Sequence, residues 1–246
     1  MKIFYVSDSG CVKDELFGWI ESCATKAIKE RGIFTIGLSG GSMPNQLEEI
    51  FDVVRSDYDK WKLFFCDERY VPENDGDSTF GAYKKAWLSR DNCALKESQF
   101  ARINIKLDVN ECAKDYEKQI RNVFKLSENS TEIPAFDLLL LGLGPDGHTC
   151  SLFPGHKLLS ESTKLVAPIS DSPKPPPKRV TMTYPLINNA QCCLFPLAGE
   201  SKADIVKKII TDKEDFPAGR INPEKGELVW ILDAQASKHL SPDTEY

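Results

Sequence analysis

Residues 136–144, FDLLLLGLG, constrain the fold of this chain more than any other stretch. A short, continuous apolar run bounded by turn residues is the pattern of a strand covered on both faces. Strands of that kind belong to parallel sheets with helices packed above and below.

The rest of the sequence supplies the partners such a strand needs. KIFYV (2–6), IFTIGLS (33–39) and WKLFFCDE (61–68) read as strands, with a short further strand around ARINI. LVAPIS, RVTMT, QCCLFPL and LVWILDA supply the later ones. Helix-period segments alternate with them: 15–32, closed by Gly32; 44–54, with Pro44 at the first position; 78–89; 110–124; and 201–212, with lysines on the outer face. This alternation predicts one α/β domain over residues 1–246, a doubly wound, mostly parallel Rossmann-like sheet with right-handed crossovers. SPKPPPK (172–178) is too short for a linker and reads as a stiff surface loop.

Composition narrows the function classes. A net charge of −6 argues against nucleic-acid partners, which need a basic face, but leaves room for one positive pocket holding a small anion. The N-terminus is too short in apolar residues for a signal peptide, and no stretch approaches the ~20 apolar residues of a membrane span. The eight cysteines contain no C-x-x-C pair and several sit in apolar runs, so they read as reduced core residues of a cytoplasmic protein, a monomer or weak oligomer.

In a doubly wound sheet, ligands bind beyond the carboxyl ends of the strands. That rule selects GLSGGSMP, CDERYVP and GLGPDGHTCSLFPGH. In the first, Ser39, Gly40, Gly41 and Ser42 offer hydroxyls and free N–H groups to an anion, or simply turn the chain. The stretch also matches G-x-S-x-G, which would make Ser39 a hydrolase nucleophile. Only two strands precede it, and a second glycine and serine fit an anion cradle better. In the second, Asp67 and Arg69 alternate and can share a face, while Glu68 reads as part of a surface ion pair. In the third, His148 stands at the mouth of the sheet as a candidate general base, with Asp146 two residues before it. Cys150 and His156 invite a metal, but the spacing fits no usual zinc pattern, so neither metal nor cofactor is expected. His156 and His239 read as surface histidines.

These segments, together with PKPPPKRVTMTYPLIN and AGESKA, resemble the 6-phosphogluconolactonase family, within the fold group that includes glucosamine-6-phosphate deaminase. The resemblance runs through most of the chain, and its most specific part is GLGPDGHTCSLFPGH. It implies a phosphate site from Ser39, Gly40, Gly41 and Ser42, joined by Arg179 and Lys202, and a reaction centre of His148, Asp146, Asp67 and Arg69. Where the family often has an asparagine, this chain has Thr79. The substrate implied is a small phosphorylated sugar lactone. The deaminases of the group carry a glutamate five residues after the loop histidine. Phe153 occupies that position here and cannot move protons, which favours lactone hydrolysis over deamination; a non-catalytic sugar-phosphate sensor would lack His148 or one of Asp67, Glu68 and Arg69, and all are present.

Overall fold

In a computed structural model, which describes residues 1–241, the four leucines of the central run alternate between two cores. Leu138 and Leu140 pack on one face of the sheet with Ile36 and Leu38; Leu139 and Leu141 pack on the other with Phe195 and Trp230. All four are fully buried, which is why the run shows no polar alternation. Each such side chain contributes about 1.5–3 kcal/mol by leaving water.

Six strands form the parallel sheet: β1 (Lys2–Val6), β2 (Phe34–Leu38), β3 (Trp61–Phe65), β5 (Leu138–Leu140), β8 (Cys192–Leu197) and β9 (Glu227–Asp233), in the order β1-β9-β8-β5-β2-β3. A second, antiparallel sheet is built from β4 (Asp67–Arg69), β7 (Arg179–Met182) and β6 (Val166–Ile169), in that order. From β2 the chain moves outward to β3; from β5 it moves the other way to β8 and β9. The crevice between β2 and β5 is therefore the switch point at which an open α/β sheet binds ligands.

Helix α1 (Ser9–Arg31) buries Val12, Leu16, Phe17, Ile20, Ala24 and Ala27, a stripe at helical spacing. Asp8 caps it by accepting from the N–H groups of Gly10 and Cys11, and Gly32 closes it at φ +72°. The remaining helices are α2 (Met43–Gln46), α3 (Ile50–Val53), α4 (Thr79–Tyr83), α5 (Val109–Val123), α6 (Tyr184–Ile187) and α7 (Ala203–Ile210).

Several predicted elements take a different form. The strand expected over 61–68 divides at Cys66, whose N–H bonds to Leu38 in the parallel sheet while its carbonyl accepts from Met182 in the small one. The chain thus crosses between sheets at this residue. The helix expected over 44–54 breaks into α2 and α3. The helix over 78–89 continues from α4 into a wider π-type turn at Lys84–Leu88. Around ARINI there is no strand, only a bridge from Leu63 to Phe100.

Candidate active site

A cleft of about 220 Å³ opens at the switch point, walled by the loops that follow β2, β3, β5 and β8. Ser39, Gly40, Gly41, Ser42, Asp67, Arg69, His148 and Lys202 all line it, drawn together from the length of the chain.

The loop after β2 turns through Gly41, at φ +69° in the left-handed region. Ser39 Oγ is buried and has no hydrogen-bond partner among the described residues. The helix that follows, α2, is a single turn, so the loop offers local donors rather than a long helix's field. Lys202, just before α7, adds a cation: its Nζ donates to the Leu143 carbonyl at 2.5 Å. Burial, and then the charge of Lys174, push the Lys202 ammonium below its usual range. An anion at this position would relieve both effects.

Asp67 and Arg69 do share a face of β4. Arg69 Nε lies 4.0 Å from Asp67 Oδ2 and, although buried, has no hydrogen-bond partner among the described residues. Arg69 Nη1 donates to the Asp77 carbonyl at 3.1 Å, which holds the guanidinium at the cleft. Glu68 points the other way. It is not part of a surface ion pair but is 4% exposed, accepting from the backbone N–H groups of Arg69, Thr79 and Phe80 at 2.7–2.8 Å. Its carboxylate fastens the start of α4 to β4. Thr79 Oγ1 is likewise buried without a partner among the described residues and lies 2.9 Å from where a Cβ on Gly40 would sit.

The loop after β5 carries His148. Its Nδ1 is hydrogen-bonded to Asp146 Oδ1, which also accepts from Lys174 Nζ at 2.9 Å. Gly144 lies against this pair: a Cβ there would come within 1.9 Å of His148 Nδ1. Phe153 packs against the imidazole at 4.9 Å between ring centres, tilted by 33°. The consequence is electrostatic. Burial against this apolar surface lowers the His148 pKa from its ordinary value, and it outweighs the opposing pull of Asp146. A neutral imidazole at neutral pH is the form that accepts a proton.

Arg179 takes a different place from the one the sequence suggests. It is 3% exposed and does not line the cleft. Its Nε donates to Pro176 O, its Nη2 to Lys174 O and Pro175 O, and its Nη1 faces Ser151 Oγ at 3.4 Å and Asp67 Oδ2 at 3.7 Å. The SPKPPPK segment is a surface loop, as expected, with Pro173, Pro175, Pro177 and Lys178 exposed, and it brings Lys174 to Asp146 and His148. Neither Lys174 nor Ser151 stood out in the sequence, because each owes its position to partners far along the chain. His156 is also less exposed than expected. Its side chain is 10% exposed, and it bridges Asp171 at 3.1 Å and the Leu158 N–H at 3.2 Å. His239, 40% exposed beside Asp204, lies at the surface. Among the described residues no cluster of His, Cys, Asp or Glu is placed to hold a metal ion.

Comparison with known proteins places the chain in a family. Residues 7–230 match the family described as glucosamine-6-phosphate isomerases/6-phosphogluconolactonase. The chain is 46% identical over 218 residues to the 6-phosphogluconolactonase of Homo sapiens, covering 86% of this chain and 82% of that protein. It is 44% identical over 223 residues to a probable 6-phosphogluconolactonase of Drosophila melanogaster, covering 90% and 88%. Among solved structures, the 6-phosphogluconolactonase from Trypanosoma cruzi superimposes with a TM-score of 0.81 at 27% identity, covering 98% of this chain and 97% of that one. The chain belongs to the glucosamine-6-phosphate isomerase/6-phosphogluconolactonase family.

Proposed function

We propose that this protein hydrolyses 6-phosphogluconolactone to 6-phosphogluconate, the second product-forming step of oxidative sugar-phosphate breakdown, with His148 as the general base. One observation carries the assignment: a neutral-leaning imidazole lines the anion-binding cleft, backed by Asp146 and packed on Phe153. With Nδ1 turned to Asp146, Nε2 is the nitrogen left to meet a water molecule.

The reaction balances without a cofactor. His148 takes a proton from water as its oxygen bonds to C1, and the carbonyl becomes an oxyanion. Arg69, whose buried Nε has no hydrogen-bond partner among the described residues, stabilises that charge; donors of this kind account for ~10²–10³ in rate. The C1–ring oxygen bond then breaks and the imidazolium returns the proton to the leaving oxygen. Asp146 favours the imidazolium while it exists. Ser39 to Ser42 and Lys202 hold the phosphate at the far end, so remote binding energy places the ring. Asp67 orients Arg69. The unpaired thiols of all eight cysteines suit a reducing compartment such as the cytoplasm, and no described helix is long and apolar enough to cross a membrane. The chemistry asks for a single chain, a monomer or weak oligomer, and for no nucleic acid.

The test is an assay with freshly generated lactone. His148→Ala is expected to lower kcat by ~10²–10⁴ with little change in KM; wild-type turnover would remove the base assignment. Lys202→Ala is expected chiefly to raise KM. Ser39→Ala separates this mechanism from a covalent one: the hydroxyl has no base bonded to it, so weaker binding is expected, whereas abolished turnover with a trappable acyl-enzyme would point to a nucleophile.

A further inference from the structure

The loop between β6 and β7 is internally braced. Ser172 N–H donates to Pro177 O at 3.1 Å, and Ser172 Oγ both donates to Lys174 O at 2.8 Å and accepts from Lys174 N–H at 3.2 Å. Beneath it the Arg179 guanidinium gathers the carbonyls of Lys174, Pro175 and Pro176. Arg179 is itself fixed by Asp67, in the cleft wall, and by the buried Ser151. The far end of this arm is Lys174 Nζ, 2.9 Å from Asp146 Oδ1 and 3.1 Å from His148 Nδ1.

Those contacts cannot all be hydrogen bonds at once. Nδ1 either carries a proton and donates to Asp146, or carries a lone pair and accepts from Lys174. A carboxylate oxygen can accept twice. The arrangement that satisfies every group has both Nδ1–H and Lys174 donating to Oδ1, with the Nε2 lone pair facing the cleft.

We propose that Lys174 is a positioning residue of the His148 base, holding in place Asp146, the acceptor of its Nδ1–H, and that Arg179 anchors the loop carrying it rather than the substrate's phosphate. The assignment rests on the reading of His148 as base. The charges around the imidazole are consistent with it: Asp146 on the same loop, Asp67 on β4 and Lys174 from the β6–β7 loop act on it directly. Arg69 and Arg179 face Asp67, and Lys202 feels Lys174 from the start of α7. Against its own burial, the bonds from His148 and Lys174 bring the Asp146 carboxyl down to about 2, so it stays an acceptor throughout the working range. Lys174 also offsets the charge by which Asp146 would otherwise hold the imidazole protonated.

The experiment is ¹⁵N NMR of the histidine side chains in the full chain, titrated for wild type, Lys174→Met and Lys174→Arg, beside kcat and KM. Only three histidines are present, and His156 and His239 serve as internal references. In Lys174→Met the His148 pKa is expected to rise by about one unit, with the Nδ1–H tautomer kept by Asp146. kcat is expected to fall about 10–100-fold, as for lost orienting partners elsewhere, with KM changing less than about twofold. Lys174→Arg is expected to restore most of the wild-type titration. An unmoved pKa, or a raised KM at constant kcat, would overturn the proposal. Because the titration reads His148 without turnover, this failure is distinct from failure of the base assignment, which His148→Ala reports by itself.

Discussion

The hydroxyl of Ser151 donates to the carboxylate of Asp67 across 2.6 Å, joining the loop after β5 to strand β4, 84 residues apart in the chain. Asp67 is 5% exposed, and its cationic partners are farther away, at 3.7 and 4.0 Å. Ser151→Ala would leave a buried carboxylate short of its one close donor. The expected cost is about 1–3 kcal/mol, read as a lower urea midpoint with unchanged slope. A midpoint equal to wild type would show that the arginines alone suffice.

Glu68 gives a prediction about pH. Burial pushes its carboxyl up to about 7 in the folded protein, against three backbone donors, from an ordinary value of 4.5. The folded state therefore binds the extra proton between those values. Its contribution is fully present below about 4.5 and is lost as pH rises through about 7. In Glu68→Gln an amide NH₂ would face N–H groups, lowering stability by about 1–3 kcal/mol, or roughly 2–12 °C in Tm for a chain of this size. The slope of stability between pH 5 and 7 should flatten in the variant; thermal melts across that window measure both effects.

The acid limb of kcat/KM should lie below 6.5, the ordinary imidazole value, because burial lowers His148. Asp146 opposes that shift, so Asp146→Asn should move the limb to still lower pH while reducing kcat, the opposite displacement from Lys174→Met. A pH–rate profile in which both variants shift the same way would contradict this balance of charges.

Gly144→Ala would place a methyl 1.9 Å from His148 Nδ1 and 2.7 Å from Asp146 Oδ1. The imidazole must then move by an ångström or more, a displacement that costs about 10²-fold in rate. Circular dichroism should find the fold retained while the lactonase assay finds kcat collapsed. Full activity would mean that the loop yields without moving the base.

The parallel sheet could be read from the sequence because its central leucines face two cores at once, and a run without polar interruption permits little else. The cleft loops were legible for a related reason: polar and glycine residues gather where those runs stop. Arg179, which the family resemblance assigns to the phosphate, has three carbonyls of a neighbouring loop as acceptors, and these are invisible in residue types. Glu68 was misread because its partners are backbone N–H groups, which every residue carries. Lys174 needed the third dimension outright: its loop looks like a solvent spacer until the chain folds back on Asp146.

The crossing of the chain at Cys66 has a consequence for how such a site can change. The parallel sheet carries the anion grip and His148, while the small sheet carries Asp67, Arg69 and, through Arg179, the loop bearing Lys174. The two sheets share one core, in which Leu139 and Phe195 pack with Val180 and Met182, yet the loops they send to the cleft differ. Descendants of this chain can drift in the β6–β7 loop to suit a new working pH while keeping the same metabolite.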